Sequence, residues 1–432
     1  MRRLYTALFY AATPFILGRL AWRGLKLPAY RERWGERFAR YAPVPGGEGM
    51  AWFHAVSVGE AEAAFPLIRA FRARHPGLPI LVTCTTPTGS ARIGAVLGDT
   101  VAHVYLPYDL PGVVARFLDH FRPCLGVVLE TEIWPNLYRE CARRGIPLAI
   151  VNGRLSEKSA RGYGRIAGLV AESLAAVGWI AAQTSLDAKR YVALGADPRK
   201  VAVTGNIKFD IEFPAPLREQ ATALRETLFP GRPVWIAGST HPGEEEQVLA
   251  AHAQVRSVLP DALLILAPRH PDRFQEVRTL CAKTGIPLRC RGESLPCEAG
   301  TGVFLLDSLG ELRCFYGAAD VAFVGGSLIP QGGHNVLEPA VAGVPVLFGP
   351  HMFNFAEIAR RLEDSGGARS VADADGLAAT VMDWLTDFDT RSEIGAKASA
   401  FVDGNRGAVA RVVEPISALL QSRLDSGRTI DT

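Results

Sequence analysis

Residues 310–350 read GELRCFYGAADVAFVGGSLIPQGGHNVLEPAVAGVPVLFGP. The apolar run Val321 to Val324 predicts a buried strand. It ends in Gly325-Gly326-Ser327, and a polar, glycine-rich loop follows, Gln331-Gly332-Gly333-His334. A helix is expected to begin near Asn335, with Glu338 in its first turn, and a second short strand over Pro345 to Phe348. Strand, glycine loop, helix start and strand make half of a nucleotide-binding unit. Glycines let backbone approach a ligand closely, and a helix start offers free N–H groups to a phosphate. The plainer reading is that tight strand-to-helix turns need glycine in any α/β protein. Glu338 could accept from both hydroxyls of a ribose, or only complement the helix dipole.

Outward from this stretch the same grammar repeats. Strands are predicted at Ala51–Ser57, Ile80–Thr85, Val101–Leu106, Leu125–Leu129, Leu148–Val151, Ile180–Gln183 and Val201–Thr204. Helical patterns fill the gaps, as in Glu60–Arg74 and Trp134–Arg144. The alternation restarts at Val234–Gly238 and continues through Leu263–Ala267 and Val303–Leu306. Strands apolar throughout, alternating with helices, predict parallel sheets covered on both faces. The fold class is therefore α/β with two Rossmann-like domains facing each other across a cleft. The expected division is a basic anchor segment (1–42), a first domain (43–206), a hinge (207–232), a second domain (233–404) and a final helix (405–432) packing back toward the hinge. Pro43 to Gly49 reads as a linker.

A chain of 432 residues suits two or three domains, and 48% hydrophobic with 21% charged residues is ordinary for a globular protein. Seven scattered cysteines with no C-x-x-C pair read as reduced thiols in a cytosolic setting, and no zinc site is expected. The net charge of +3 hides an asymmetry. Residues 1–40 hold nine Lys/Arg and two Asp/Glu, a balance of +7. The other 38 Lys/Arg and 42 Asp/Glu give −4. This is not a nucleic-acid-binding balance. Leu4 to Leu17 carries no charge, but its fourteen residues fall short of the ~20 that span a bilayer. With the arginines that follow, it reads as an interfacial or shallowly inserted helix attracted to anionic lipid. A short span and a core helix are the alternatives.

The unusual polar residues fall at predicted strand ends. Glu60, after a strand and a glycine, suits a general base or a helix-start glutamate. Glu130 and Glu132, before Trp134-Pro135-Asn136, would be costly to bury unpaired and should be exposed or paired. Lys208 brings a cation to a strand mouth, or is a solvated surface lysine. Pro268-Arg269-His270-Pro271 sets an arginine between prolines, a rigid arrangement for holding an anion. Leu309-Gly310-Glu311 opens another helix. His334 is either a structural histidine or a ligand contact. Asp373-Ala374-Asp375 reads as a helix cap. P-loop, G-x-G-x-x-G and G-x-S-x-G motifs are absent.

Assembled, these residues resemble the 3-deoxy-D-manno-octulosonic acid (Kdo) transferases. The matching stretches are His54-Ala55-Val56-Ser57-Val58-Gly59-Glu60, Glu130-Thr131-Glu132-Ile133-Trp134-Pro135-Asn136, Gly205-Asn206-Ile207-Lys208-Phe209-Asp210, Gly238-Ser239-Thr240-His241 with Glu244 and Glu245, Ala267-Pro268-Arg269-His270-Pro271, and the Gly325–Pro350 block. The resemblance implies a GT-B glycosyltransferase. Its donor would be CMP-Kdo and its acceptor a lipid A precursor, at the cytoplasmic face of the inner membrane in lipopolysaccharide synthesis. It implies Glu60 as proton acceptor and Glu130 and Lys208 as transition-state stabilisers. It implies a CMP site of Pro268, Arg269, Leu309, Gly310, Glu311, Asn335, Val336, Leu337 and Glu338. No cofactor or metal is expected. A UDP-sugar transferase or epimerase of the same architecture is the rival enzyme, and a nucleotide-sugar sensor the rival non-enzyme.

Overall fold

The structure, a computed structural model, describes residues 1–42 and 49–428. Most of the sequence-predicted linker Pro43 to Gly49 lies outside the described residues. The chain divides into two units: Met1–Asp210 with Arg406–Thr432, and Ile211–Asn405.

The first unit is built on seven parallel strands: β1 (Ala51–His54), β2 (Ile80–Cys84), β3 (Ala102–Tyr105), β4 (Leu125–Leu129), β5 (Leu148–Gly153), β6 (Trp179–Ala182) and β7 (Val201–Val203). Their order is β3-β2-β1-β4-β5-β6-β7. Residues alternate between two cores, as a strand's period of two requires. Phe53, Val82 and Val127 face one, with the helix Val58–Arg74. Trp52, Leu81 and Val128 face the other, with the helix Pro111–Phe121. Burial on both faces is why these strands read as unbroken apolar runs.

The second unit repeats the plan with β8 (Val234–Thr240), β9 (Leu263–Pro268), β10 (Leu288–Cys290), β11 (Val303–Leu305), β12 (Val321–Val324), β13 (Val346–Phe348) and β14 (Ala368–Ser370). The order is β10-β11-β9-β8-β12-β13-β14, again all parallel. Strand order reverses direction beside β1 and β4 in the first sheet, and beside β8 and β12 in the second. Ligands of such sheets bind at the carboxyl ends of strands at this reversal.

The structure adds four features to the sequence reading. Strands β10 and β14 lie at the sheet edges and hold three residues each, Leu-Arg-Cys and Ala-Arg-Ser. Too short and too polar to make an apolar run, they leave no strand signal. The expected hinge, residues 207–232, holds the passage between units after Asp210 and then a helix. Pro214 and Pro216 open a helix, Ala215–Leu228, because proline's fixed φ and missing N–H suit a first helical turn. Arg225 ties that helix to Asp320 at 2.8 Å and to the Ala318 carbonyl at 2.8 Å, within the second unit. Residues 1–42 belong to the first unit rather than standing apart.

The N-terminal helix Arg2–Lys26 is held to that unit by its first turns. Tyr5 donates to Asp109 at 3.0 Å and Thr6 to Asn136 at 3.1 Å, while Phe9 packs near Tyr108. Leu4, Leu8, Phe15 and Trp22 are exposed. At about 100° per residue those four lie within about 40° of one another, at least about 100° from Thr6 and Phe9 and about 60° or more from Tyr5. Residues Arg2–Leu25 are long and apolar enough to cross a membrane, by length and composition.

The C-terminal helix Ala408–Arg428 packs on the helix Val58–Arg74. Asp210 accepts from the N–H groups of Gly407 and Val409, each at 2.6 Å. The two points where the chain passes between units therefore lie side by side.

Candidate active site

Glu60 sits in the first turn of the helix after β1. Ser57 caps that helix, its Oγ accepting from the Glu60 N–H at 3.4 Å. The Glu60 carboxylate turns back to accept from the Val56 N–H at 2.7 Å and the Ser57 hydroxyl at 3.3 Å. This reciprocal capping fixes the side chain at the carboxyl edge of the sheet. Burial pushes its pKa up to about 7, with a further push from the Glu130 carboxylate and a smaller one from Glu132, against the opposing Val56 N–H. Glu60 is thus poised to hold or release a proton near neutrality.

Glu130 follows β4, the neighbour of β1. Its φ is +56°, a left-handed conformation that costs a non-glycine residue about 1–3 kcal/mol. Surrounding groups impose it. The Glu130 N–H donates to Val151 O at 2.9 Å, and the Tyr191 hydroxyl donates to the Glu130 carbonyl at 3.2 Å. Its carboxylate accepts from Lys208 at 3.1 Å, with both side chains about one-fifth exposed.

Lys208 arrives from the far edge of the sheet. Strand β7 lies three positions from β4, about 14 Å at the usual strand spacing. Residues 204–208 cross that distance on fixed supports: Thr204 N–H on Ala182 O at 3.0 Å, Ile207 N–H on the Asn152 side chain at 3.0 Å, and Lys208 N–H on the Asn206 side chain at 3.0 Å. Glu132, close by, is pushed upward by burial and then by the Glu130 charge. Three carboxylates and one ammonium therefore gather where β1 and β4 meet.

The other nine candidate residues belong to the second unit. Pro268 ends β9, and Arg269 is exposed just beyond it, its N–H bound to Thr240 O at 3.0 Å. Leu309 is 69% exposed beside Gly310, whose φ of +86° favours glycine. Glu311 is engaged within the protein: Arg291 donates at 2.8 Å and holds its carboxyl below the ordinary range. Asn335 accepts from the Leu337 N–H at 3.1 Å and donates to Glu338 at 3.2 Å. Val336 and Leu337 are fully buried. Glu338 does lie in the first turn of a helix, which runs over only Leu337–Val341. Strands β11, β9, β8 and β12 are successive neighbours, so all nine residues fall along one carboxyl edge.

The sequence reading named His241 only within a motif and left His334 undecided. The structure joins them. His241 Nε2 lies 2.8 Å from His334 Nε2, with ring planes 1° apart. His270 meets His241 edge-on at 5.4 Å. The signal for His241 was the G-S-T-H run ending β8. Glu244, in that motif, is structural: its buried carboxylate accepts from the N–H groups of Gly326, Ser327 and Leu328 at 2.6–3.0 Å.

Residues 32–211 match the family model described as 3-deoxy-D-manno-octulosonic-acid transferase (kdotransferase). A 3-deoxy-D-manno-octulosonic acid transferase of Haemophilus influenzae is 41% identical over 424 residues, which is 97% of this chain and 99% of that protein. This chain belongs to the 3-deoxy-D-manno-octulosonic acid transferase family. The Bordetella pertussis transferase is 37% identical over 89% of this chain and 90% of its own length. The Kdo transferases are glycosyltransferases, and Kdo transfer in lipopolysaccharide synthesis is the activity of this chain. The fold is GT-B-like. A UDP-GlcNAc 2-epimerase of Neisseria meningitidis superposes with a TM-score of 0.54 over 87% of this chain and 100% of its own, at 13% identity. That likeness concerns the fold alone. Near-full-length identity to Kdo transferases separates this chain from the rival epimerase reading.

Proposed function

We propose that this transferase moves Kdo from CMP-Kdo to a hydroxyl of a lipid A precursor, with inversion at the anomeric carbon. The observation that carries this reading is Glu60: a carboxylate fixed by its own helix cap, at the sheet's reversal point, with a pKa near 7. A base must be within reach of the acceptor hydroxyl and largely ionised at working pH. Glu60 takes the hydroxyl proton as that oxygen attacks the anomeric carbon. The bond from that carbon to the CMP oxygen breaks, and CMP leaves with the electron pair.

Charge develops on the leaving phosphate, and Arg269 supplies an exposed guanidinium to meet it. Lys208, held by Glu130, presents a cation to the sugar carboxylate or the phosphate. Glu130 has a second effect, since its carboxylate raises the pKa of Glu60. Exposed Leu309 gives the cytosine face an apolar contact, and Glu338 suits the ribose hydroxyls. No metal is needed by this scheme.

The N-terminal helix seats the protein on the cytoplasmic face of the inner membrane. Its exposed stripe of Leu4, Leu8, Phe15 and Trp22 enters the interface, and the exposed Arg19, Arg23, Arg31 and Arg40 meet anionic lipid. The test is a transfer assay in detergent with the lipid A precursor and CMP-Kdo generated in place, read by mass. Wild type should add one or more Kdo units and Glu60→Gln none. Undiminished transfer by Glu60→Gln would remove Glu60 as the base.

A further inference from the structure

The two histidines of the second unit make an unusual contact. The Nε2 atoms of His241 and His334 are 2.8 Å apart, the ring centroids 5.1 Å, and the planes 1° from parallel. A ring nitrogen lies about 1.2 Å from its own centroid, so the rings meet edge to edge and nearly in line. Two lone pairs cannot face each other at that distance. One nitrogen carries a proton and donates it to the other. In the neutral pair, one ring then has a bare Nδ1 and the other a protonated Nδ1. A second proton would make both Nδ1 atoms donors and spread one positive charge over two rings.

The surroundings keep that second proton off. Burial lowers both rings, His241 to about 4 and His334 to about 3. Fixed cations add to the effect: Arg269 acts on both rings, and Arg273 acts on His241. The nearby carboxylates are engaged elsewhere. Glu244 is bound to three backbone N–H groups, and Glu245 is paired with Arg273 at 2.6 Å. The pair therefore sits in a cationic setting at the reversal of the sheet, the position where an anion would be held.

The contact is also built into the backbone. Gly326 has φ +70°, and a Cβ there would meet His334 at 3.2 Å and His241 at 3.4 Å. Its N–H is fixed by Glu244 at 2.6 Å. The loop after β12 thus leaves room for these two rings.

We propose that the His241–His334 pair is part of the phosphate site, and that a nucleotide phosphate binding beside Arg269 does so with uptake of one proton from solvent onto this pair. The anion offsets the repulsion from Arg269 and Arg273, and the newly protonated Nδ1 becomes a second charged donor to it. Nothing else is consumed: the proton comes from the buffer and returns to it when the nucleotide leaves. The proposal rests on the reading that the donor nucleotide binds this unit at Arg269.

The test is calorimetric titration of the full-length protein in detergent with cytidine 5′-monophosphate, in buffers of different ionisation enthalpy. Wild type, His241→Asn and His334→Gln are compared, so that the nucleotide's own titration cancels. Wild type should take up about one proton more per nucleotide than either variant near pH 6.5, and its affinity should rise about tenfold more than theirs for each unit the pH falls. Equal proton counts in all three proteins, with the nucleotide bound, overturn the proposal and leave the donor reading standing. Absence of binding in wild type, or affinity unchanged in Arg269→Ala, overturns the donor reading and the proposal with it. If a variant fails to fold, wild type is titrated with the methyl phosphodiester of cytidine 5′-monophosphate, whose charge does not change between about pH 5 and 8: affinity that does not rise as pH falls overturns the proposal.

Discussion

Lys208 Nζ stands 3.1 Å from Glu130 Oε1, although 78 positions separate the two residues in the chain. One comes from the edge strand of the first sheet and the other from its centre. The pair places a cation against a carboxylate that also acts on Glu60. Lys208→Ala and Glu130→Ala should each lower kcat, and the double variant should lose little beyond the worse single one. The coupling should be about 0.5–3 kcal/mol, the range for residues in direct contact. Strictly additive losses in a double-mutant cycle would mean that the two act separately.

Transfer should depend on pH through Glu60. The ionised carboxylate is the active form, so kcat/KM should fall as pH drops below about 7. Because the Glu130 charge helps to raise that value, Glu130→Gln should move the acidic limb of the profile to lower pH. An acidic limb that stays in place in this variant would contradict the coupling between the two carboxylates.

The same shift has a stability consequence of opposite sense. Glu60 rises from 4.5 to about 7 on folding, so the folded state holds more protons between those values. Its contribution is complete below about pH 4.5 and is lost as pH rises through 7. Glu60→Gln keeps an oxygen for the Val56 N–H and removes the charge. It should be more stable than wild type at pH 8, by about 1–2 kcal/mol once partial exposure is allowed for. The advantage should vanish near pH 4. Thermal melts at the two pH values check this, and a variant less stable at pH 8 would show that the carboxylate charge is compensated.

Arg269 is exposed, with its backbone fixed on Thr240. Arg269→Ala should weaken CMP binding by about 1.5–3 kcal/mol, the scale of a charge-assisted hydrogen bond. Calorimetry reads this directly, and unchanged affinity would take the guanidinium out of the phosphate site.

The N-terminal helix offers separate faces for two roles. Leu8→Glu with Phe15→Glu alters only exposed positions and should release the protein from anionic vesicles without lowering its melting temperature. Tyr5→Phe removes the donor to buried Asp109 and should lower stability by about 1–3 kcal/mol. Deleting residues 1–22 combines both effects. Vesicle sedimentation separates them, and a double glutamate variant that still sediments would place membrane contact elsewhere.

The strands were legible because both faces of each parallel sheet are buried. Every residue of Leu125–Leu129 or Val321–Val324 had to be apolar or small, whatever lay around it. Two boundaries, Leu125–Leu129 and Val321–Val324, agree residue for residue with the sequence reading. Glu60, Glu130 and Arg269 stood out as candidates because polar residues soon after such runs need a reason, and Glu338 because it opens a helix after a glycine loop. Strands β10 and β14 were not, because Leu-Arg-Cys and Ala-Arg-Ser are too short and too polar to make an apolar run. The helix in 207–232 was hidden because proline both breaks helices and starts them. Only the tertiary structure decided which charges meet. Lys208 reaches Glu130 because Asn152 and Asn206 fold the chain back over the sheet edge. His241 reaches His334 because β8 and β12 are neighbours, though 93 residues apart. Burial of a side chain follows from its own chemistry and can be read along the chain, whereas a pairing of charges depends on the order of strands in the sheet.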